Sequence, residues 1–127
     1  MRRGAIRRLA LGTAVLITSG LLTLAAPPDA QAAANCPGRK VRTLPFATGS
    51  VLVHRRGGYV CAVTVPKKPG VKQRMSVGLR ARGGRPVVDE GRYAHRAGPV
   101  TVHAGQRCVW VTGRVGGRTV VSGWILC

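Results

Sequence analysis

Two adjacent carboxylates (Asp89 and Glu90), three histidines (His54, His95 and His103) and four cysteines (Cys36, Cys61, Cys108 and Cys127) are the groups of this chain whose types could do chemistry. General acid and base catalysis needs charge-handling side chains that converge on one bond. Neighbours in extended chain point to opposite sides, so Asp89 and Glu90 make a poor pair for glycoside hydrolysis. The same shortage of carboxylates argues against calcium, which takes several oxygen ligands. The histidines are too dispersed for a recognisable metal motif, and a surface or strand position is the expectation for each. Ser50, Ser76 or Ser122 could join a histidine and Asp89 in a triad, but no G-x-S-x-G turn surrounds any of them. The expectation is a non-enzymatic protein with no catalytic residues, metal or cofactor, and a small secreted hydrolase is the third-ranked reading.

The cysteines say more as a set than singly. An even number in a short exported chain reads as a disulfide framework, and four cysteines allow three connectivities. Cys36 with Cys61 and Cys108 with Cys127 is the favoured pairing, because each bridge is local and needs no crossing of the chain. Each would contribute roughly 2 to 4 kcal/mol, mainly by restricting the unfolded state. Paired thiols are lost as nucleophiles. Zinc is not expected either, since the spacings are long and no C-x-x-C pair exists.

Export is read from the N-terminus. Arg2, Arg3, Arg7 and Arg8 precede an uncharged, mostly apolar run from Leu9 to Ala26, and small-residue cleavage patterns follow Pro27-Pro28. Residues 1–34 are therefore expected to be a signal peptide and 35–127 a single secreted all-β domain. The alternative is an uncleaved anchor, since the apolar run is just long enough to cross a bilayer. After cleavage no membrane span is expected. The 93 residues from Asn35 to Cys127 suffice for one domain but are marginal for a core that must hold unaided, which is where disulfides help.

The elements that must position these groups are strands. The chain alternates β-branched runs with Gly and Pro and shows no sustained helical period. Ser50 to Arg55, a Gly57-Gly58 turn and Tyr59 to Val65 predict a hairpin, with Tyr59, Cys61, Val63 and Val65 on one face. Pro66 to Gly70 ends it. Gln73 to Arg82 has the clearest alternation, with Met75, Val77, Leu79 and Ala81 inward and Arg74, Arg80 and Arg82 outward. A loop is expected from Gly83 through Gly91, and Tyr93 to Arg96 is either a short strand or more loop. Pro99 to His103, Arg107 to Thr112 and Arg118 to Ile125 complete the set, with turns at Ala104-Gly105-Gln106 and Gly116-Gly117. The fold class is thus all-β, a small disulfide-stabilised antiparallel sandwich or barrel of six to seven short strands. Trp110 and Trp124 are expected in the core over the Cys108–Cys127 bridge, with an exposed platform for a sugar ring or base as the alternative.

Charge is the remaining signal. The whole chain carries 21 Lys and Arg against 3 Asp and Glu, a formal charge of +18. Such a field attracts polyanions, and the candidate anion contacts are Arg39, Lys40 and Arg42, then Arg55 and Arg56, Lys67 and Lys68, and Arg80, Arg82 and Arg85. Lys72 and Arg74 extend the third of these groups. Arginine outnumbers lysine 17 to 4, which a GC-rich genome would also produce. Nothing in the chain reads as a sequence-specific nucleic-acid motif.

Cys61-Ala62-Val63-Thr64-Val65, Pro69-Gly70 followed by Met75-Ser76, Ala97-Gly98-Pro99-Val100-Thr101-Val102, a Trp soon after Cys108 and a closing Cys127 resemble the actinobacterial spore-associated protein A family. The resemblance spans most of the chain from Cys36 onward. This chain departs from the family pattern in its stronger basicity and in Arg96, where an aromatic is expected. The resemblance implies a small exported protein of the cell or spore surface with no reaction to carry over. The expected partner is an anionic cell-wall polymer or the spore surface, and the alternative is a secreted cationic or antimicrobial protein acting on anionic membranes or polymers. If the framework is right, alkylating the secreted protein without prior reduction leaves its intact mass unchanged. Two or more labelled thiols would count against the pairing.

Overall fold

The computed structural model describes residues 36–127, so the expected signal peptide over residues 1–34 lies outside the described part. Eight antiparallel strands run β1 (Arg39–Phe46), β2 (Gly49–Arg56), β3 (Tyr59–Pro66), β4 (Gln73–Ala81), β5 (Val87–Tyr93), β6 (Ala97–His103), β7 (Val109–Val115) and β8 (Arg118–Ile125). They form two four-stranded sheets in the orders β1-β2-β3-β6 and β5-β4-β7-β8. The sheets stack as a sandwich, with β1 against β8 at one side and β6 against β4 and β5 at the other.

The expected strands are all present, and two more join them. β1 and β5 occupy sheet edges, where only one flank is paired. Edge strands are commonly dosed with charge, proline and bulges that discourage further pairing. β1 carries Arg39, Lys40, Arg42 and Pro45 and a bulge between Lys40 and Arg42, while β5 carries Asp89, Glu90, Gly91 and Arg92. Those residues dilute the alternation, so one segment reads as a basic cluster and the other as a loop. Tyr93 closes β5, and Ala94 to Arg96 form the turn into β6.

One core fills the space between the sheets. Val51 and Val53 of β2 and Val60 and Ala62 of β3 face Met75, Val77 and Leu79 of β4 and Val109 and Val111 of β7, all essentially without solvent exposure. Each such side chain contributes roughly 1.5 to 3 kcal/mol by leaving water. Fully buried Thr64 donates its hydroxyl to the Ser76 carbonyl at 2.9 Å, a polar link from β3 to β4. On the far side of the first sheet Cys36, Leu52, Cys61 and Val63 make a second, smaller cluster. The Tyr59, Cys61, Val63, Val65 row thus faces away from the main core.

Both favoured disulfides are present. Cys36–Cys61 fastens the chain before β1 onto β3, with Cα atoms 5.6 Å apart. Cys108–Cys127 fastens the residue just before β7 to the second residue after β8. Two such bridges fit an oxidising compartment.

The sheets pack tightly at Gly113, where an added Cβ would run into Val51 Cγ2 and lie 3.0 Å from Thr64 Oγ1. Gly113→Ala is therefore expected to lower stability by about 1 to 3 kcal/mol through overpacking. Gly117→Ala, with nothing within 4 Å of its Cβ, is expected to stay within about 0.5 kcal/mol of the wild type. Urea denaturation midpoints compare the two, and equal midpoints would contradict this packing.

Candidate functional site

β4 and β7 lie side by side in the second sheet, and their alternation sorts residues cleanly. Met75, Val77, Leu79, Val109, Val111 and Val115 point inward, leaving Arg74, Ser76, Gly78 and Arg80 of β4 and Trp110, Thr112 and Arg114 of β7 on the outer face. Register then sets cross-strand rows. One row reads Val88, Gly78, Thr112, Val121, and the next reads Arg80, Trp110, Trp124.

Trp124 reaches that face through an irregularity in β8. Between the Trp110–Trp124 and Thr112–Val121 pairs the register shifts, so Ser122 and Gly123 together stand opposite Val111. Gly123 adopts φ +70°, a left-handed conformation that glycine reaches without strain. Val111 donates its N–H to Ser122 Oγ at 2.9 Å, so a side chain replaces the missing ladder bond. The extra residue resets the parity and puts Val121 and Trp124 on one face despite their odd spacing.

Together these residues form a groove of about 300 Å³, partly open to solvent. Gly78, Leu79 and Thr112 make its floor on the two central strands, and Arg80, Pro86, Val88, Trp110 and Trp124 line it around them. The two indoles meet edge to face, with centroids 5.3 Å apart and planes at 73°. The guanidinium carbons of Arg80 and Arg82 lie 5.1 and 4.9 Å from the Trp124 ring centroid. A cation over an indole face is held by the ring quadrupole. The expectation that both tryptophans lie in the core is thus corrected: each is half-buried on the outer face. Trp110 shares its strand parity with Thr112 and Arg114, and that polar company was the available signal.

The other candidate cations separate. Arg39 pairs across strands with Arg55, whose guanidinium donates to the Gly105 carbonyl, so Arg39, Lys40, Arg55 and Arg56 gather at the end of the sandwich that holds the β6–β7 turn. Arg42 follows the bulge on β1. Arg107 bridges that turn to the Arg82 carbonyl at 3.1 Å, which places exposed Arg82 and Arg85 at the same end. Lys67 donates its N–H to the Thr48 carbonyl at the opposite end, with Lys68 beside it, roughly 25 Å away along an eight-residue strand. The ten candidates are thus not one patch.

The carboxylates are occupied by structure. Asp89 and Glu90 fall on opposite faces of β5, opposite Val77 and Ser76 respectively. Asp89 accepts the Tyr93 hydroxyl at 2.6 Å and the Gly98 N–H at 2.7 Å, joining β5 to β6 across the sandwich side. Glu90 pairs with Arg74 at 3.6 Å, both half-exposed, a contact of small energetic weight. His95 and His103 are exposed, as expected. His54 sits on β2 but is 3 % exposed, with Nδ1 3.3 Å from the Gly38 carbonyl and Nε2 without a partner among the described residues. Among the described residues no three of His, Cys, Asp and Glu converge on a common point. No protein-family model, curated protein or solved structure matches the chain.

The Asp89 carboxylate accepts the phenol's hydrogen bond and so holds the Tyr93 pKa above its ordinary 10.0, with partial burial and Asp89's charge adding to the shift. A raised phenol pKa in the fold contributes stability that is present below the ordinary value and is lost as pH rises through the folded one. In Asp89→Asn, Tyr93 is therefore expected to ionise at lower pH. Phenolate absorbance in an alkaline titration would appear earlier than in the wild type, and superimposable curves would contradict the assignment.

Proposed function

We propose that this chain is a secreted, non-catalytic binding protein of the cell or spore surface that docks on an anionic envelope polymer. The observation that carries this reading is the placement of Arg80 and Arg82 against Trp124 with no carboxylate facing them among the described residues. A guanidinium held over an indole with no carboxylate partner keeps N–H donors for an oxyanion, and it is matched to carboxylate or phosphate geometry. Residues 35–127 hold 17 Lys and Arg against two acidic residues, a formal charge of +15 (17 − 2) that provides long-range attraction to any such polymer. Both carboxylates of the described residues already serve strand contacts, which supports a binding rather than a catalytic role. The spore-surface component rests on the sequence resemblance, and secretion on the N-terminal pattern together with the two bridges.

Retention of the protein on isolated cell walls and spores across a salt gradient tests this. Elution is expected at modest salt, because exposed charges more than about 10 Å apart are largely screened near 0.1 M. The Arg80→Gln/Arg82→Gln variant should elute earlier than the wild type. Salt-independent retention would sink the arginine mechanism, and dye release from anionic vesicles would instead mark a membrane-active cationic protein.

A further inference from the structure

We infer that the groove on the outer face of the second sheet recognises a sugar residue whose carboxylate is attached directly to its ring, within an acidic glycan. This rests on the docking reading above and names the ligand chemistry of that site. Three features select it. Trp110 lines the groove beside Trp124, whose ring already carries Arg80 and Arg82, and an aromatic face, negative at its centre, suits the polarised C–H groups on one side of a pyranose. The floor suits a ring too. Gly78 has no side chain, and a Cβ there would come within 2.4 Å of Thr112 Oγ1, so glycine keeps the trough open beside a hydroxyl that can bond a sugar hydroxyl. At about 300 Å³ the space matches the lower end of small-ligand sites and holds a short segment of a chain.

The third feature fixes where the negative charge must be. Arg80 and Trp110 are directly opposed on β4 and β7, so their Cα atoms are only about 5 Å apart. The Arg80 guanidinium lies 5.1 Å from the Trp124 centroid, which is 5.3 Å from that of Trp110, so a ligand that stacks on Trp110 and reaches that guanidinium carries its oxyanion close to the stacked ring. A uronic acid does so. In a nucleotide the whole pentose separates the base from the phosphate, and a phosphate chain has no ring to stack. A planar carboxylate also accepts two parallel N–H bonds from one guanidinium, a match a neutral sugar lacks.

The test uses a galacturonic acid trimer, its methyl ester and inorganic tripolyphosphate, titrated into the full-length secreted protein at physiological salt. Both tryptophans of the chain line the groove, so intrinsic fluorescence reports on it, with calorimetry as the second readout. The acid trimer is expected to bind about tenfold or more tighter than the ester or tripolyphosphate, the difference one charge-assisted bidentate contact supplies. Arg80→Gln and Trp110→Ala should each weaken the acid trimer about tenfold, while exposed Arg118→Gln, six residues from Trp124 along β8, should change it less than about twofold. The comparison of acid with ester on the wild type needs no variant to fold. Equal binding of acid and ester, or tripolyphosphate binding that matches the acid and ignores Trp110→Ala, would overturn the inference. If walls still retain the protein in a salt-dependent way in either case, the docking proposal stands and only the ligand class falls. Loss of wall retention removes both.

Discussion

Gly113 and Val51 meet across the gap between the two sheets at a distance that leaves no room for a Cβ, and this close approach organises the rest of the molecule. Sheets held that near must fill the gap with one interdigitated layer of small and β-branched side chains. The inward rows of β2, β3, β4 and β7 meet that demand with valine above all, helped by Ala62, Met75 and Leu79. Thr64 enters the layer only because its hydroxyl finds the Ser76 carbonyl. Because successive residues of a strand alternate sides, filling this layer also decides which side chains are turned away from it. Trp110 is turned outward because Val109 and Val111 are turned in.

The two outer faces then meet different fates. On the first sheet the Cys36–Cys61 bridge sits with Leu52 and Val63 in a buried cluster, so that face is closed. On the second sheet Val88 and Val121 stay exposed, and the tryptophans remain half-open beside two arginines. The Cys108–Cys127 bridge secures the strand ends from which Trp110 and Trp124 project. A groove on paired strands with a nearby crosslink is held more rigidly than one built on loops. Ligand recognition by stacked rings and guanidinium groups depends on that rigidity, since less freedom is lost on binding.

Charge follows a similar division of labour. Asp89 serves the fold by accepting one hydrogen bond from Tyr93 within β5 and one from the Gly98 N–H that ties β5 to β6, and Glu90 answers Arg74. The arginines have no comparable supply of acids. Several find backbone carbonyls instead, as Arg107 does at Ala104, Arg82 and His103, while Arg80 and Arg82 lean on an indole. Carbonyl and indole contacts of this kind leave the positive charge without a neutralising acid.

Sequence alone determined the all-β class, the two glycine turns and the inward row of β4, because each depends on local spacing or unbroken alternation, and it favoured one disulfide pairing of three, which the structure has. It left β1 and β5 unread, since edge strands have one bare flank and carry charges and proline that hide their period. It also left open which face of β7 and β8 would be covered. Alternation shows which residues share a side but not which side another layer will occupy. Trp124 lay further out of reach, because the two residues opposite Val111 reverse the parity of β8. Arg80 and Arg82 are far from Trp124 in the chain and meet it only through the pairing of β4 with β7 and of β7 with β8. Only the tertiary structure could decide that, because a groove across three strands is a property of register, and register is set by the closing of the core.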